Sequence, residues 1–255
     1  MPTKPWPIWP NRDSELKQML ANSMSEIRSG RLGDDVHLRS TAKIALLDFI
    51  ANELPRWRDH PERPEELAED RLTDHLCDYL NSAAYHSTAW DHIQFRTETG
   101  DEAQANRTID LAAKPRTALI IEGRRHSIFD TLVPIECKRL PTPSGSKRDE
   151  REYVFNKYRS TGGIQRFKEG HHASNHNLAA MIAYVQMETC KFWERKVSNW
   201  IGDLRRSGEV GWTAADFLHV TRIDNVQKTV ALQSRHGRRN GLTEIELRHF
   251  WIQMN

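Results

Sequence analysis

Apolar residues recur every three or four positions through the first third of the chain, which predicts amphipathic helices. The first is predicted over 13–30, with apolar residues at Leu16, Met19, Leu20, Met24 and Ile27. A second is predicted over 40–54, ending at Pro55 because proline lacks the amide hydrogen that a helix interior needs. A third is predicted from about 64 to 81, where leucines form one stripe.

Further along, the period of the pattern changes to two, which is typical of strands. Short strands are predicted at 92–97, 107–113, 117–122, 132–138, 217–223, 228–234 and 245–253. Between the two groups of strands, a long helix is predicted over 173–206. Helices, a strand cluster, a helix and more strands together predict a mixed α/β fold.

Composition narrows the class of protein. With 255 residues, 38% of them hydrophobic and 28% charged, the chain has the makings of one large domain with decorations. Its longest apolar run, at 178–185, is too short to cross a bilayer. No basic segment followed by an apolar stretch is visible near Met1, and three widely spaced cysteines offer no disulfide framework. We therefore expect a cytoplasmic protein without a membrane role.

The formal net charge of +2 is small, but the charges are unevenly distributed. The range 138–168 contains nine basic and three acidic residues. A positive surface of this kind suits a polyanionic partner such as nucleic acid, while a solvated charged loop is the alternative interpretation.

The tripeptide Glu136-Cys137-Lys138 lies at the start of this basic range. Acid-x-Lys occurs three times in the chain, but only here on a predicted strand. Because side chains alternate along a strand, Glu136 and Lys138 share one face while Cys137 faces the core. By the same rule Asp110 faces outward from its strand, between Ile109 and Leu111. Two neighbouring strands would therefore present Asp110, Glu136 and Lys138 together.

Paired carboxylates beside a lysine are suited to phosphate chemistry with a divalent cation. Mg²⁺ takes hard oxygen ligands, so the predicted ligands are Asp110, Glu136 and the backbone carbonyl of Cys137. Glu69 joins them as a hypothesis, because the leucine stripe of the third helix extends backwards onto it. A carboxylate on a core-facing side needs a cation or donors, although a cap at the helix start is the alternative. For the whole set, a structural salt bridge is the competing interpretation.

A histidine group offers a weaker metal candidate. His171, His172 and His176 include an i, i+4 pair that suits zinc, but no cysteine or well-spaced acid completes the set. A solvated junction between loop and helix is the favoured interpretation of this segment.

These motifs resemble those of the PD-(D/E)XK phosphodiesterase superfamily, over about residues 65–170. Glu69 stands where that family has its helix-borne acid, Ile109-Asp110 where it has Pro-Asp, and Glu136-Cys137-Lys138 matches its acid-x-Lys. The segment GGIQRFKEG at 162–170 is similar to an element that follows the acid-x-Lys strand in many members. The gap after Asp110 is longer than usual in that family, so 114–131 is expected to form an inserted hairpin or extended loop.

The resemblance implies a restriction-endonuclease-like core in which a central mixed β-sheet is flanked by helices. Residues 1–60 would be an N-terminal helical extension, and 61–255 the nuclease-like domain with a C-terminal strand-rich supplement. Asp110, Glu136 and Lys138 would be catalytic, Mg²⁺ (or Mn²⁺ in its place) the cofactor, and Gln165, Arg166 and Lys168 the substrate-binding residues.

The implied activity is cleavage of nucleic acid, with DNA favoured over RNA, in restriction or antiphage defence. A homodimer or a partner defence protein is expected for double-strand cutting. The alternative function is a non-catalytic nucleic-acid-binding or assembly subunit that keeps the fold.

Overall fold

The computed structural model of the protein describes residues 41–65, 67–100, 107–145, 148–159, 161–239 and 241–255. The helix predicted over 13–30 lies outside these ranges. The helices are α1 (Thr41–Arg58), α2 (Glu69–Tyr85), α3 (Gly163–Lys168) and α4 (Cys190–Arg206), with a 3-10 turn at Ala214–Asp216. The strands are β1 (Ile93–Gly100), β2 (Thr108–Pro115), β3 (Leu119–Ile121), β4 (Arg124–His126), β5 (Val133–Leu140), β6 (Leu178–Val185), β7 (His219–Asp224), β8 (Thr229–His236) and β9 (Ile245–Gln253).

Seven strands form one mixed sheet in the order β1-β2-β5-β6-β9-β8-β7. The central strands β5, β6 and β9 are parallel, and the pairs on either side of them are antiparallel. The predicted mixed α/β class is therefore confirmed. The insertion expected at 114–131 contains a separate two-stranded hairpin of β3 and β4.

Each face of the sheet carries its own hydrophobic core. One core joins the first two helices to the sheet through buried residues such as Trp57, Leu76 and Ile135. The other joins α4 to the opposite face through Trp193, Val197 and neighbouring side chains. Helix α1 therefore shares a core with elements beyond residue 60. No helix in the described ranges is long and apolar enough to cross a bilayer.

Three predicted helices differ from the structure. Helix α2 spans Glu69–Tyr85 instead of 64–81, so both of its ends lie four or five residues further along the chain. Helix α1 does not end at Pro55 but continues to Arg58, because Pro55 and Trp57 are buried and their packing compensates for one lost hydrogen bond. The helix predicted over 173–206 is wrong in its first part, which forms the central strand β6. All eight residues of β6 are buried, and a parallel strand covered on both faces reads as an unbroken apolar run instead of alternating.

Candidate functional site

The candidate site lies where β2 and β5 separate. The two strands pair only along 111–113 and 133–135, whereas β2 stays paired with β1 as far as Thr108. Beyond that point the amide groups of Cys137 and Arg139 have no neighbouring strand on the β2 side. Two strands that diverge in this way leave a cleft with polar backbone groups along one wall, which must be satisfied by something else.

Two carboxylates lie in this cleft and accept hydrogen bonds from the backbone amides of β5. Asp110 Oδ2 accepts a hydrogen bond of 2.8 Å from the Cys137 amide. Glu69, the first residue of α2, accepts one of 2.8 Å from the Arg139 amide through Oε2. The helix start has no side-chain cap, so Glu69 does not cap it and points instead to the predicted site.

The ammonium group of Lys138 lies at the centre of the cluster. Its Nζ is 3.0 Å from Glu69 Oε1, 3.5 Å from Asp110 Oδ2 and 2.9 Å from Glu136 Oε1. It also donates a 2.8 Å hydrogen bond to the carbonyl oxygen of Cys137. The structure thus brings together all the predicted metal ligands around one cation.

Glu136 is the innermost acid, with a fully buried side chain. Its Oε1 accepts a 2.7 Å hydrogen bond from Arg166, on α3, in addition to its contact with Lys138. His172 Nδ1 lies 3.2 Å from Oε2 but outside hydrogen-bonding geometry, so both atoms lack a hydrogen-bond partner among the described residues. One carboxylate oxygen is therefore buried without a donor.

These neighbours shift the acidities in opposite directions. Burial alone would raise the pKa of Glu136, but Lys138, Arg166 and His172 hold it below its usual range. Burial and the nearby Glu136 carboxylate raise the pKa of Asp110 to about 6, although Lys138 opposes them. Burial would lower the pKa of Lys138, yet the three carboxylates raise it well above its usual value. Lys138 is therefore a permanent cation here.

The site opens to solvent on one side only. The side chains of Glu69 and Asp110 are 28% and 27% exposed, whereas those of Lys138 and Glu136 are 9% and 0% exposed. The predicted alternation along β5 is correct, but its second face is not open to solvent as a surface strand would be. The second hydrophobic core covers that face beside Glu136.

Two predicted substrate contacts have other partners. Gln165 is buried and accepts hydrogen bonds from the amides of Asn156 and Gly162, while its amide group donates to Glu169. Lys168 is also buried, where its ammonium pairs with Asp216. Neither side chain is presented on an exposed basic surface, because each is used to hold neighbouring segments together.

His172 is a site residue that sequence reasoning missed. Its position in the sequence groups it with His171 and His176 as a zinc candidate. Nothing in the spacing of these histidines indicates a contact with Glu136, 36 positions upstream. Among the residues that the structure describes, no three His, Cys, Asp or Glu side chains converge as a ready-made metal site. At the cleft the reason is physical, since the Lys138 ammonium stands between the carboxylates.

Comparisons with known proteins add no assignment: no family model, no curated protein and no solved structure matches the chain.

Proposed function

We propose that this chain is a Mg²⁺-dependent nuclease of the PD-(D/E)XK kind, with its active site in the cleft between β2 and β5. One observation carries the proposal. Among the described residues, three carboxylates converge beside two permanent cations, Lys138 and Arg166, and one carboxylate oxygen of Glu136 has no donor in hydrogen-bonding geometry. These five groups carry a net charge of −1, so an additional cation would be electrostatically favourable at this site.

The donor set fits the proposed metal. Carboxylate oxygens of Glu69, Asp110 and Glu136, with the Cys137 carbonyl, are hard ligands of the type that Mg²⁺ prefers. The two partly exposed acids stand at the mouth of the cleft, where a phosphate group could reach them. When bound, Mg²⁺ supplies Lewis acidity toward a phosphoryl oxygen and toward a water molecule.

The chain's own residues divide the remaining work. Lys138 already contacts four oxygens of the protein with its three ammonium protons, so it would donate to a phosphate oxygen or to the attacking water by exchanging one of these acceptors. Stabilisation of developing negative charge by a fixed donor is among the largest catalytic effects. Arg166 fixes the orientation of Glu136 through their 2.7 Å contact. Glu69 and Asp110 anchor the backbone of β5 and so keep this geometry.

Acids in this position suit cleavage better than simple binding. Carboxylates repel phosphates unless a cation intervenes, so a module that only binds nucleic acid has no use for three of them. DNA is the favoured substrate and restriction or antiphage defence the favoured role, both on the resemblance of the motifs. A homodimer or a partner protein would supply a second active site for cutting both strands.

The direct test is cleavage of plasmid DNA, single-stranded DNA and RNA with Mg²⁺ or Mn²⁺, comparing the parent with Glu136→Gln. We expect metal-dependent cleavage by the parent and none by the variant. A melting curve of each protein separates loss of chemistry from loss of folding. Absence of cleavage by a folded parent on every substrate, or full activity of the variant, would overturn the proposal.

The second candidate is a non-catalytic subunit, and one observation favours it. Each acid already has a structural partner: Asp110 the Cys137 amide, Glu69 the Arg139 amide, and Glu136 the guanidinium of Arg166. A cluster that closes the sheet in this way needs no metal. Calorimetric titration with Mn²⁺ separates the two candidates. A non-catalytic subunit should show no Mn²⁺ binding that is lost on Asp110→Ala, whereas a nuclease should.

A further inference from the structure

A rigid turn precedes α3 and presents three side chains to solvent. Residues Lys157, Tyr158 and Arg159, here called the tip, are all exposed, and Tyr158 shows 55% of its surface. Large aromatic side chains are usually buried, because the hydrophobic effect favours removing their surface from water. Exposure alone does not single out Tyr158, because Tyr85 and Phe129 are more exposed; what distinguishes it is its place in a turn between two cations.

Buried polar side chains hold the backbone of the tip. Asn156 Oδ1 accepts hydrogen bonds from the amides of Tyr158 (2.9 Å) and Arg159 (3.3 Å). Asp149 Oδ2 accepts one of 3.2 Å from the Lys157 amide. Asn156 and Asp149 are only 3% and 6% exposed. Burying a polar group costs free energy unless it is hydrogen-bonded, so these buried side chains favour one backbone conformation of the tip.

The two cations of the tip have no ionic partner among the described residues, whereas the neighbouring charges are paired. Arg148 pairs with Glu152 at 3.0 Å, and Arg151 with Asp149 at 3.0 Å. The side chains of Lys157 and Arg159 make no hydrogen bond or ion pair with any residue that the structure describes. Lys157 instead lies over one face of the Tyr158 ring, 4.7 Å from its centroid. Two unpaired cations thus flank an exposed ring.

A hydrogen bond to Gln165 also connects the tip to the candidate site. The amide of Asn156, next to the tip, donates a 3.1 Å hydrogen bond to Gln165. The residue after Gln165 is Arg166, whose guanidinium contacts Glu136 at 2.7 Å. Gln165, predicted as a substrate contact, is therefore the link that ties the tip to the short helix carrying Arg166.

We propose that the tip is a binding site for an unpaired nucleotide, and that it holds a single strand leading to the acidic cleft. A base stacks on the free face of Tyr158, and phosphates on either side of that base contact Lys157 and Arg159. Stacking on aromatic rings combined with a basic track is the general means of binding single strands, because every base has a flat face. In a duplex that face is covered by the neighbouring base pair, so the tip favours single strands.

This inference rests on the proposed function for the identity of the strand as substrate, but its test does not require cleavage. We would measure binding of fluorescent 20-nucleotide single-stranded DNA, single-stranded RNA and duplex DNA by anisotropy, in EDTA. The variants are Tyr158→Ala, Tyr158→Phe and Arg159→Ala. The matched control is Tyr85→Ala, because Tyr85 is 66% exposed and ends α2, about 24 Å along the helix from Glu69.

We expect Tyr158→Ala to weaken single-strand binding about tenfold, the size typical of losing one base stack. Tyr158→Phe should bind like the parent, since the ring remains, and so should Tyr85→Ala. Arg159→Ala should weaken binding and reduce the slope of log affinity against log salt by about 0.7, as expected for one phosphate contact on a single strand.

The outcomes separate the two proposals. Unchanged single-strand affinity in Tyr158→Ala, or an equal loss in Tyr85→Ala, would overturn the role of the tip whether or not the protein cleaves. Preference for duplex DNA would also overturn it. Single-strand binding that depends on Tyr158, in a protein that never cleaves with Mg²⁺, would support the tip and contradict the nuclease. Equal affinity for single-stranded DNA and single-stranded RNA would support a site that recognises the base by stacking alone.

Discussion

Two of the buried polar clusters among the described residues differ in almost every respect. The first is the acidic cleft at β2 and β5, where carboxylates surround Lys138. The second, here called the closed network, connects Asp216, His236, Ser234, His249 and Tyr153 within the second half of the sheet. The cleft contains three carboxylates around one ammonium, one buried oxygen without a well-aligned donor, and partly exposed acids at its edge. The closed network has one carboxylate, which is paired with Lys168, and its polar side-chain atoms all have partners among the described residues.

The hydrogen bonds of the closed network form one continuous chain. His236 contacts Asp216 at 2.6 Å through Nδ1 and Ser234 at 2.6 Å through Nε2. Ser234 contacts His249 at 2.8 Å, and His249 contacts the Tyr153 hydroxyl at 2.8 Å. Trp251 then donates a 2.8 Å hydrogen bond to that hydroxyl and ends the chain.

A single arrangement of protons satisfies every member. Tyr153 donates to His249, His249 to Ser234, Ser234 to His236, and His236 to the carboxylate of Asp216. Each histidine is neutral in this arrangement, which agrees with the depressed pKa that burial gives both of them. Lys168 balances the charge of Asp216 from the other side.

The serine, histidine and carboxylate of the network have the connectivity of a hydrolase triad. Ser234, His236 and Asp216 are, however, no more than 1% exposed, so a substrate has no access to the hydroxyl. Connectivity alone therefore does not identify a catalytic site. The cleft differs from the closed network in its unsatisfied atom, its unbalanced charge and its access to solvent.

The largest expected effect is a loss of cleavage, and it should distinguish Lys138 of the cleft from Lys168 beside the closed network. Lys138→Ala should lower single-turnover cleavage by the equivalent of about 3–4 kcal/mol, because a fixed donor to the transition state is lost. Affinity measured in Ca²⁺ should change much less. Lys168→Ala should instead lower the melting temperature while folded molecules cleave at the parental rate. Cleavage by Lys138→Ala at the parental rate, with weaker binding alone, would make Lys138 a binding residue and favour the non-catalytic subunit.

The next effect concerns the closed network. Ser234→Ala removes the only hydroxyl between two buried histidines, so His236 and His249 each lose a partner. We expect the free energy of unfolding in urea to fall by roughly 2–3 kcal/mol. Ser207→Ala is the control, since that exposed hydroxyl only contacts the Leu204 carbonyl. An equal and small loss in both variants would show that the network contributes little to stability.

A third effect follows from the neutral histidines. Their pKa values are lowered in the folded state, so below about pH 6.5 the unfolded chain binds protons that the folded chain excludes. Stability present above that pH should be lost as the pH falls, by up to about 1.4 kcal/mol per pH unit for each histidine. Around His236 the charged groups are Asp216 and Glu244, which oppose its loss of basicity, and Lys168, which favours it.

Urea unfolding of the parent at several pH values between 7.5 and 5 measures this dependence. His236→Gln should flatten the curve, whereas His86→Gln, at an exposed position, should leave it unchanged. Equal pH dependence in the parent and in His236→Gln would contradict the neutral arrangement of the network, because the opposing contribution of Asp110, whose pKa is raised to about 6, is present in both proteins.

The smallest effect tests the open side of the cleft. Glu69→Gln keeps an oxygen that can accept from the Arg139 amide, and the side chain is already 28% exposed. Its unfolding free energy should therefore change by less than about 1 kcal/mol. Calorimetric titration should nevertheless show weaker Mn²⁺ binding than in the parent. Equal affinities together with equal cleavage rates would remove Glu69 from the site and leave it only as the acceptor of the Arg139 amide.

Much of the candidate site could be predicted from local pattern. Alternation along β5 places Glu136 and Lys138 on one face, and the same rule turns Asp110 away from its buried neighbours. The helical stripe of α2, extended backwards, reaches Glu69. These inferences succeed because strand and helix periodicities are properties of a few consecutive residues. The strands of the C-terminal region were predicted within two residues at each end for the same reason.

The tertiary structure alone decided how the elements are covered and which distant groups meet. Strand β6 was predicted as helix, because an apolar run does not reveal that both of its faces are packed. His236 is fully buried and hydrogen-bonds to Asp216, 20 positions upstream, a contact that no local pattern indicates. The contact of Lys138 with Glu69 spans 69 positions. Local sequence determines which side of an element a residue faces, but only the packing of the sheet and helices determines what that side meets.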